Sequence, residues 1–287
     1  MSAPAGRSVI KVGDRPLSLY DYIAIAHGQS DAELAPAARS RMERHRASLE
    51  RQLASGTLMY GVNTGYGADS VRTLAPEILR AVQRNTITSH AVGVGELAPR
   101  EIVRGMMLLK ANTLAQGFSA VRPVVAELLL DLLNQDIVPV VPEQGSLAAS
   151  GDLVPSGHMA QALVGEGEVF HSGRPVTASE ALASAHLAVL VPEEKEGLAL
   201  VNGTVFTEAY ALEAISRAES LLRAADVAGA ASLQALKGHL SAFGERAVAV
   251  RPFPGALLCA TNMRALCRDS ALLAGAATRV HDQKQSG

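Results

Sequence analysis

Apolar positions spaced three and four apart recur along most of this chain, and short stretches rich in Gly, Pro, Asn and Ser interrupt them. That alternation predicts helices joined by tight connections. Residues 1–30 read as an irregular lead-in with one short strand at Val9, Ile10 and Val12, closed by the turn signal Gly13-Asp-Arg-Pro16. Asp31 to Leu53 reads as an exposed helix rich in Arg and Glu, stopped by Gly56. A Gly/Asn/Thr loop follows over 57–73. Pro76, in a first helical turn, then opens a helix that runs to about His90. Pro99–Ala115 and Arg122–Asn134 predict two more helices, the second buried through Leu128-Leu-Leu-Asp-Leu-Leu133. Residues 136–157 read as a loop, 158–164 as helix, and 168–176 as a hairpin turning at Ser172-Gly173. An Ala/Leu/Glu-rich run from Gly203 to Ala230 predicts one long helix.

Composition sharpens this into a mainly α fold. Hydrophobic residues make up 48% of the 287 positions but aromatics only 3%, and abundant Ala and Leu favour close helix packing. The expected division is an N-terminal domain over 1–200 and the start of a long-helix bundle over 201–287. A mean hydropathy of +0.16 is high for a monomer and predicts apolar surface between subunits. The net charge of −2 shows no nucleic-acid footprint, and no apolar stretch reaches transmembrane length. Cys259 and Cys267 lack metal-site or redox-motif spacing and read as reduced cysteines of a cytoplasmic protein. His158 and His281 have no ligand partners at useful spacing, so no metal is expected.

The candidate chemistry lies in Gly145-Ser-Leu-Ala-Ala-Ser-Gly-Asp-Leu-Val-Pro155. Small residues here let the backbone fold tightly on itself. Attack of the Gly151 amide nitrogen on the Ala149 carbonyl would close a five-membered ring. Loss of two waters, one carrying the Ser150 hydroxyl, would leave an exocyclic methylidene. The product is a carbon electrophile, which no ordinary side chain supplies.

With Gly157-His-Met-Ala-Gln-Ala-Leu-Val-Gly-Glu-Gly-Glu168, this string resembles the histidine and aromatic amino acid ammonia-lyase family. Four other segments agree in order: Met59-Tyr-Gly-Val-Asn-Thr-Gly-Tyr-Gly67, Arg84-Asn-Thr-Ile-Thr-Ser-His-Ala-Val-Gly-Val-Gly95, Ala111-Asn-Thr-Leu-Ala-Gln-Gly-Phe-Ser-Ala-Val-Arg-Pro123 and Gly197-Leu-Ala-Leu-Val-Asn-Gly-Thr204. Two departures are visible: Leu147-Ala148 stands where many members have Val-Gly, and Ser156-Gly157 replaces a bulkier pair.

The resemblance implies a methylidene-imidazolone (MIO) formed autocatalytically from Ala149, Ser150 and Gly151, with Asp152 supporting its formation and no external cofactor. It implies Tyr60 as the base. An ordinary tyrosine is protonated at neutral pH, so such a site must favour the phenolate. It implies Asn202 in contact with MIO and substrate, and Ser89-His90 in the ring pocket. A histidine there suits imidazole, and equally a phenol. Each residue also has an ordinary role open to it: turn Asp152, turn Asn202, core Tyr60, or His90 on a helix C-terminal dipole.

Deamination of L-histidine to trans-urocanate is therefore the expected activity, with a tyrosine lyase or 2,3-aminomutase as the alternative. Assembly as a homotetramer is implied by the resemblance. Val280-His281-Asp282 resembles the start of a further family motif, and the match lapses after Gln283. Family members are longer, and their additional part carries the carboxylate-binding arginine. An inactive subunit that associates with a longer partner is the competing expectation.

Overall fold

The computed structural model of the 287-residue chain describes residues 7–65, 75–147 and 150–274. Two compact units divide it, Met1–Glu213 and Ala214–Gly287. The first unit opens with β1 (Ser8–Val12), α1 (Leu19–Ala26), β2 (Ser30–Leu34) and α2 (Pro36–Ala54). β1 and β2 pair in parallel, Ser8 against Ser30 through Val12 against Leu34. Ser18 and Asp21 form a capping box on α1. The same Asp21 carboxylate takes two hydrogen bonds from Arg15, and that guanidinium holds it well below the usual carboxylate range.

Next come α3 (Pro76–His90), β3 (Val94–Leu97), α4 (Arg100–Ala115) and α5 (Pro123–Asn134). Met106, Met107, Leu108 and Leu114 of α4 meet Leu129, Leu132 and Leu133 of α5 in the main core. Arg104 is buried within it and donates to Ile25 O and Ala26 O at the end of α1, and to Leu133 O near the end of α5. Ile25 O and Leu133 O also accept from Gly28 N and Asp136 N just past their helices, and the added bonds let one guanidinium serve two helix ends.

The chain continues through β4 (Val138–Pro139), β5 (Pro142–Gln144), α6 (Leu153–Leu163), β6 (Glu168–His171), β7 (Arg174–Thr177), α7 (Ala178–Ser184), α8 (Glu196–Val201) and α9 (Val205–Ala235). β3 pairs with β5, and β4 with β6, both antiparallel. The expected hairpin is β6–β7, with Ser172 and Gly173 both at positive φ in its two-residue turn. In the second unit, beyond its share of α9, lie a short 3-10 turn, α10 (Glu245–Ala249) and α11 (Pro254–Leu266). Ala230, Met263 and Cys267 make its small core, and Cys259 and Cys267 are both free thiols.

The lead-in read as irregular over 1–30 contains helix α1, Leu19–Ala26, started by the Ser18–Asp21 capping box, and two boundaries also differ from the sequence reading. The helix expected from Asp31 starts at Pro36, and residues 30–34 are β2. Proline disfavours helical dihedrals in the residue before it, and Ala35 is extended. The loop expected over 136–157 holds β4 and β5, and α6 begins at Leu153 rather than 158. Pro155 falls in the first turn of α6, where its missing N–H costs nothing.

Candidate active site

α6, α8 and the start of α9 bring three of the expected residues together. The Asp152 N–H donates to Gly203 O at 2.7 Å. The Asp152 carboxylate, 3% exposed, accepts from Thr207 N at 2.8 Å and from Thr207 Oγ1 at 3.0 Å. Thr207 lies in the first turn of α9, whose leading N–H groups have no intrahelical acceptor. Asp152 thus caps α9 from a distant part of the chain, and its negative charge faces the positive end of that helix. It precedes α6 but makes no side-chain cap there.

Gly151 is buried against the turn after α8. A Cβ on it would lie 2.6 Å from Asn202 Oδ1, 2.7 Å from Gly203 N and 2.9 Å from Gly203 O. No other residue fits without displacing Asn202 or the Gly203 peptide. Gly203 has φ +136°, which side-chain-bearing residues rarely adopt. Ser150, next to this contact, is exposed. Ala149 lies outside the described residues.

His90 is the last residue of α3, and its Nδ1 donates to Thr86 O at 2.7 Å. That bond fixes the tautomer, leaving Nε2 as the acceptor of the neutral ring. The Ser89 hydroxyl lies 3.4 Å from the same Nδ1. The end of α3 is gripped by α6. A Cβ on Gly157 would come within 2.9 Å of the His90 carbonyl carbon and of Ala91 N. Next to it, His158 Nε2 accepts from Gly93 N at 2.9 Å. Burial pushes the His158 pKa down, which keeps the ring neutral and able to accept.

Tyr60 stands on a separate turn and is 62% exposed. Asn63 and Thr64 staple that turn: Asn63 Oδ1 accepts from Met59 N, Asn63 Nδ2 donates to Thr57 O, and Thr64 Oγ1 accepts from Gly61 N. The rest of the tyrosine loop, residues 66–74, lies outside the described residues, as does His281. Among the described residues no group of three or more His, Cys, Asp or Glu is placed to hold a metal ion. None of the described helices is long and apolar enough to cross a membrane.

The structure adds Thr207, Gly203, His158 and Lys110 to the sequence-derived set. Lys110 is 1% exposed on the core face of α4, and its Nζ donates to Asn202 O at 2.7 Å and Ala199 O at 3.2 Å. The sequence carried one signal for it. Val103, Met107 and Leu114 form an apolar stripe at helical spacing, and Lys110 occupies the position in line with them.

The sequence profile of the aromatic amino acid lyases matches residues 17–286. A histidine ammonia-lyase of Chloroflexus aurantiacus is 44% identical over 267 residues, 92% of this chain and 51% of that protein. The structure of a tyrosine aminomutase from Streptomyces globisporus is similar with a TM-score of 0.84 at 33% identity, covering 90% of this chain and 49% of that one. A histidine ammonia-lyase structure from Trypanosoma cruzi gives a TM-score of 0.83 at 34% identity, covering 90% and 51%. The chain spans about half the length of the curated relatives it matches.

Proposed function

We propose, from the premise that this chain belongs to the aromatic amino acid lyase family, that it forms the site of an ammonia-lyase releasing trans-urocanate and ammonia from L-histidine. The observation that carries the reading is the seat of Gly151 against Asn202 and Gly203. A Cβ-free residue is pressed onto a side-chain amide and a peptide, and its neighbour Asp152 is clamped by Thr207 and Gly203 O. These residues fit an MIO built from Ala149, Ser150 and Gly151. Closure joins Gly151 N to the Ala149 carbonyl carbon with loss of one water. Departure of the Ser150 hydroxyl with that residue's α-hydrogen is the second. The exposed position of Ser150 lets that hydroxyl leave to solvent.

When formed, the group supplies the carbon electrophile that the protein's side chains lack. The remaining work falls to residues of this chain. Asn202 Oδ1 orients groups beside Gly151. His90 Nε2 accepts a hydrogen bond from the substrate ring, because Nδ1 is committed to Thr86. Tyr60 is the residue that takes the β-proton. The C–H electron pair becomes the new double bond as the C–N bond breaks and ammonia departs. The acceptor at Nε2 also suits a phenol O–H, so a tyrosine lyase or aminomutase is the second reading. A homotetramer in the cytoplasm is part of the proposal.

Intact mass of the purified chain tests the first half: a species two waters lighter than the sequence is expected, and the unmodified mass refutes cyclisation. Product analysis with L-histidine and L-tyrosine tests the second. Urocanate supports the histidine reading, whereas a β-tyrosine product replaces it with the mutase.

A further inference from the structure

Lys110 is a charged group in the apolar core for which the proposed chemistry has no direct use. Its ammonium reaches across from α4 to the end of α8, where Ala199 and Asn202 offer carbonyls at the negative end of the helix. The next residue is Gly203, and a Cβ there would lie 3.1 Å from Lys110 Nζ. On its other side the Gly203 peptide faces Gly151, and Gly203 O accepts from Asp152 N. The Asn202–Gly203 peptide is therefore held between a buried cation and the residues that would cyclise.

We propose that Lys110 is a positioning residue for ring closure at Gly151: by holding the Asn202 carbonyl, it fixes the peptide that presses the Gly151–Asp152 backbone into shape. This rests on the reading that Ala149-Ser150-Gly151 cyclises. Lys110 touches neither the ring nor a substrate. Its influence passes through the backbone of Asn202 and Gly203. Burial lowers its pKa to about 8, with Glu208 and Asp152 as the opposing negative charges, so the ammonium form prevails at neutral pH.

The test compares the full chain with Lys110→Met, Lys110→Gln and Lys110→Arg by intact mass over time after cell-free synthesis, which starts from uncyclised chain, with urea midpoints measured in parallel. Wild type is expected to become two waters lighter. Lys110→Met is expected to fold and to lose water at least about tenfold more slowly, the factor that one hydrogen bond from a charged donor is worth. Lys110→Gln and Lys110→Arg, which keep donors, are expected to recover part of the rate. A merely structural lysine would move the urea midpoint and leave the water loss of the folded protein unchanged. Maturation of Lys110→Met at the wild-type rate overturns the proposal, as does failure of all three variants to fold. Wild type at its full sequence mass overturns the cyclisation reading itself, and the role of Lys110 with it.

Discussion

Replacing Asp152 by alanine should cost far more than the loss of an ordinary turn aspartate. The carboxylate is 3% exposed and accepts two hydrogen bonds from Thr207, at 2.8 and 3.0 Å. Bonds to a charged group contribute about 1.5–3 kcal/mol each, and removing one partner of a buried charged set costs about 3–5 kcal/mol. Alanine strips the N-terminus of α9 of its acceptor and withdraws a counter-charge from Lys110. Asp152→Ala is therefore expected to lose about 3–5 kcal/mol, while Asp152→Asn, which keeps a carbonyl for Thr207 N–H, loses about 1–2 kcal/mol. Urea unfolding followed by circular dichroism at pH 7 measures both, and an unchanged denaturant slope assigns the difference to stability. A loss below about 1 kcal/mol for alanine is the range of a simple cap, and it would refute the argument that this carboxylate acts as a buried charge held by Thr207 and facing Lys110. Equal losses for alanine and asparagine would refute the argument from the retained acceptor.

Three further outcomes follow from the same geometry. Because Lys110 has a folded pKa of about 8 against an ordinary value of 10.5, the unfolded chain binds the extra proton between these values, so its contribution to stability rises with pH across that window, by up to about 3 kcal/mol. Urea midpoints from pH 7.5 to 9.5 should show this as a wild-type rise absent from Lys110→Met, and parallel curves would exclude it. His158 has its pKa lowered by burial, so stability should fall as pH drops below about 6.5, where only the unfolded ring takes up a proton. His158→Gln should flatten that acid limb in the same assay. Gly197→Ala sets a Cβ 2.2 Å from Gln83 O, a backbone atom of α3 that has little room to move. A loss of about 1–3 kcal/mol and a lowered Tm are expected, and an unchanged Tm would show that α8 and α3 part easily.

The elements legible in the sequence were those whose local chemistry agrees with their packing. α3 and α5 open on prolines and carry apolar faces, and the β6–β7 turn falls at Ser172-Gly173, where the pattern put it. β2 was not legible. Its sequence Ser-Asp-Ala-Glu-Leu alternates, but Ala32 and Leu34 are its only apolar positions, too few to mark a strand, and it is a strand because β1 pairs with it in parallel. Helix α1 was missed although Ser18 and Asp21 write its capping box plainly. In the candidate site, Gly151, Asp152 and Asn202 were named from motifs, but their meeting point was not. The partner of the Asp152 carboxylate, Thr207, lies 55 residues downstream. Lys110 and Asn202 are 92 apart. Pairings across such separations arise from tertiary packing, and neither composition nor periodicity encodes them. Ala149 and residues 66–74 lie outside the described residues, so the expectations there stand as sequence readings.

The double attachment of Arg104 has a consequence for how this unit comes apart. Its guanidinium holds Ile25 O and Ala26 O with two nitrogens and Leu133 O with a third. Fraying of α1 at its C-terminus and of α5 at its own would otherwise be separate, inexpensive fluctuations. Tied through one side chain, each opening exposes a buried cation and releases the other helix end, so the two share a single opening event. In native-state hydrogen exchange, the last turns of α1 and α5 should belong to one cooperative unit, although more than a hundred residues separate them along the chain.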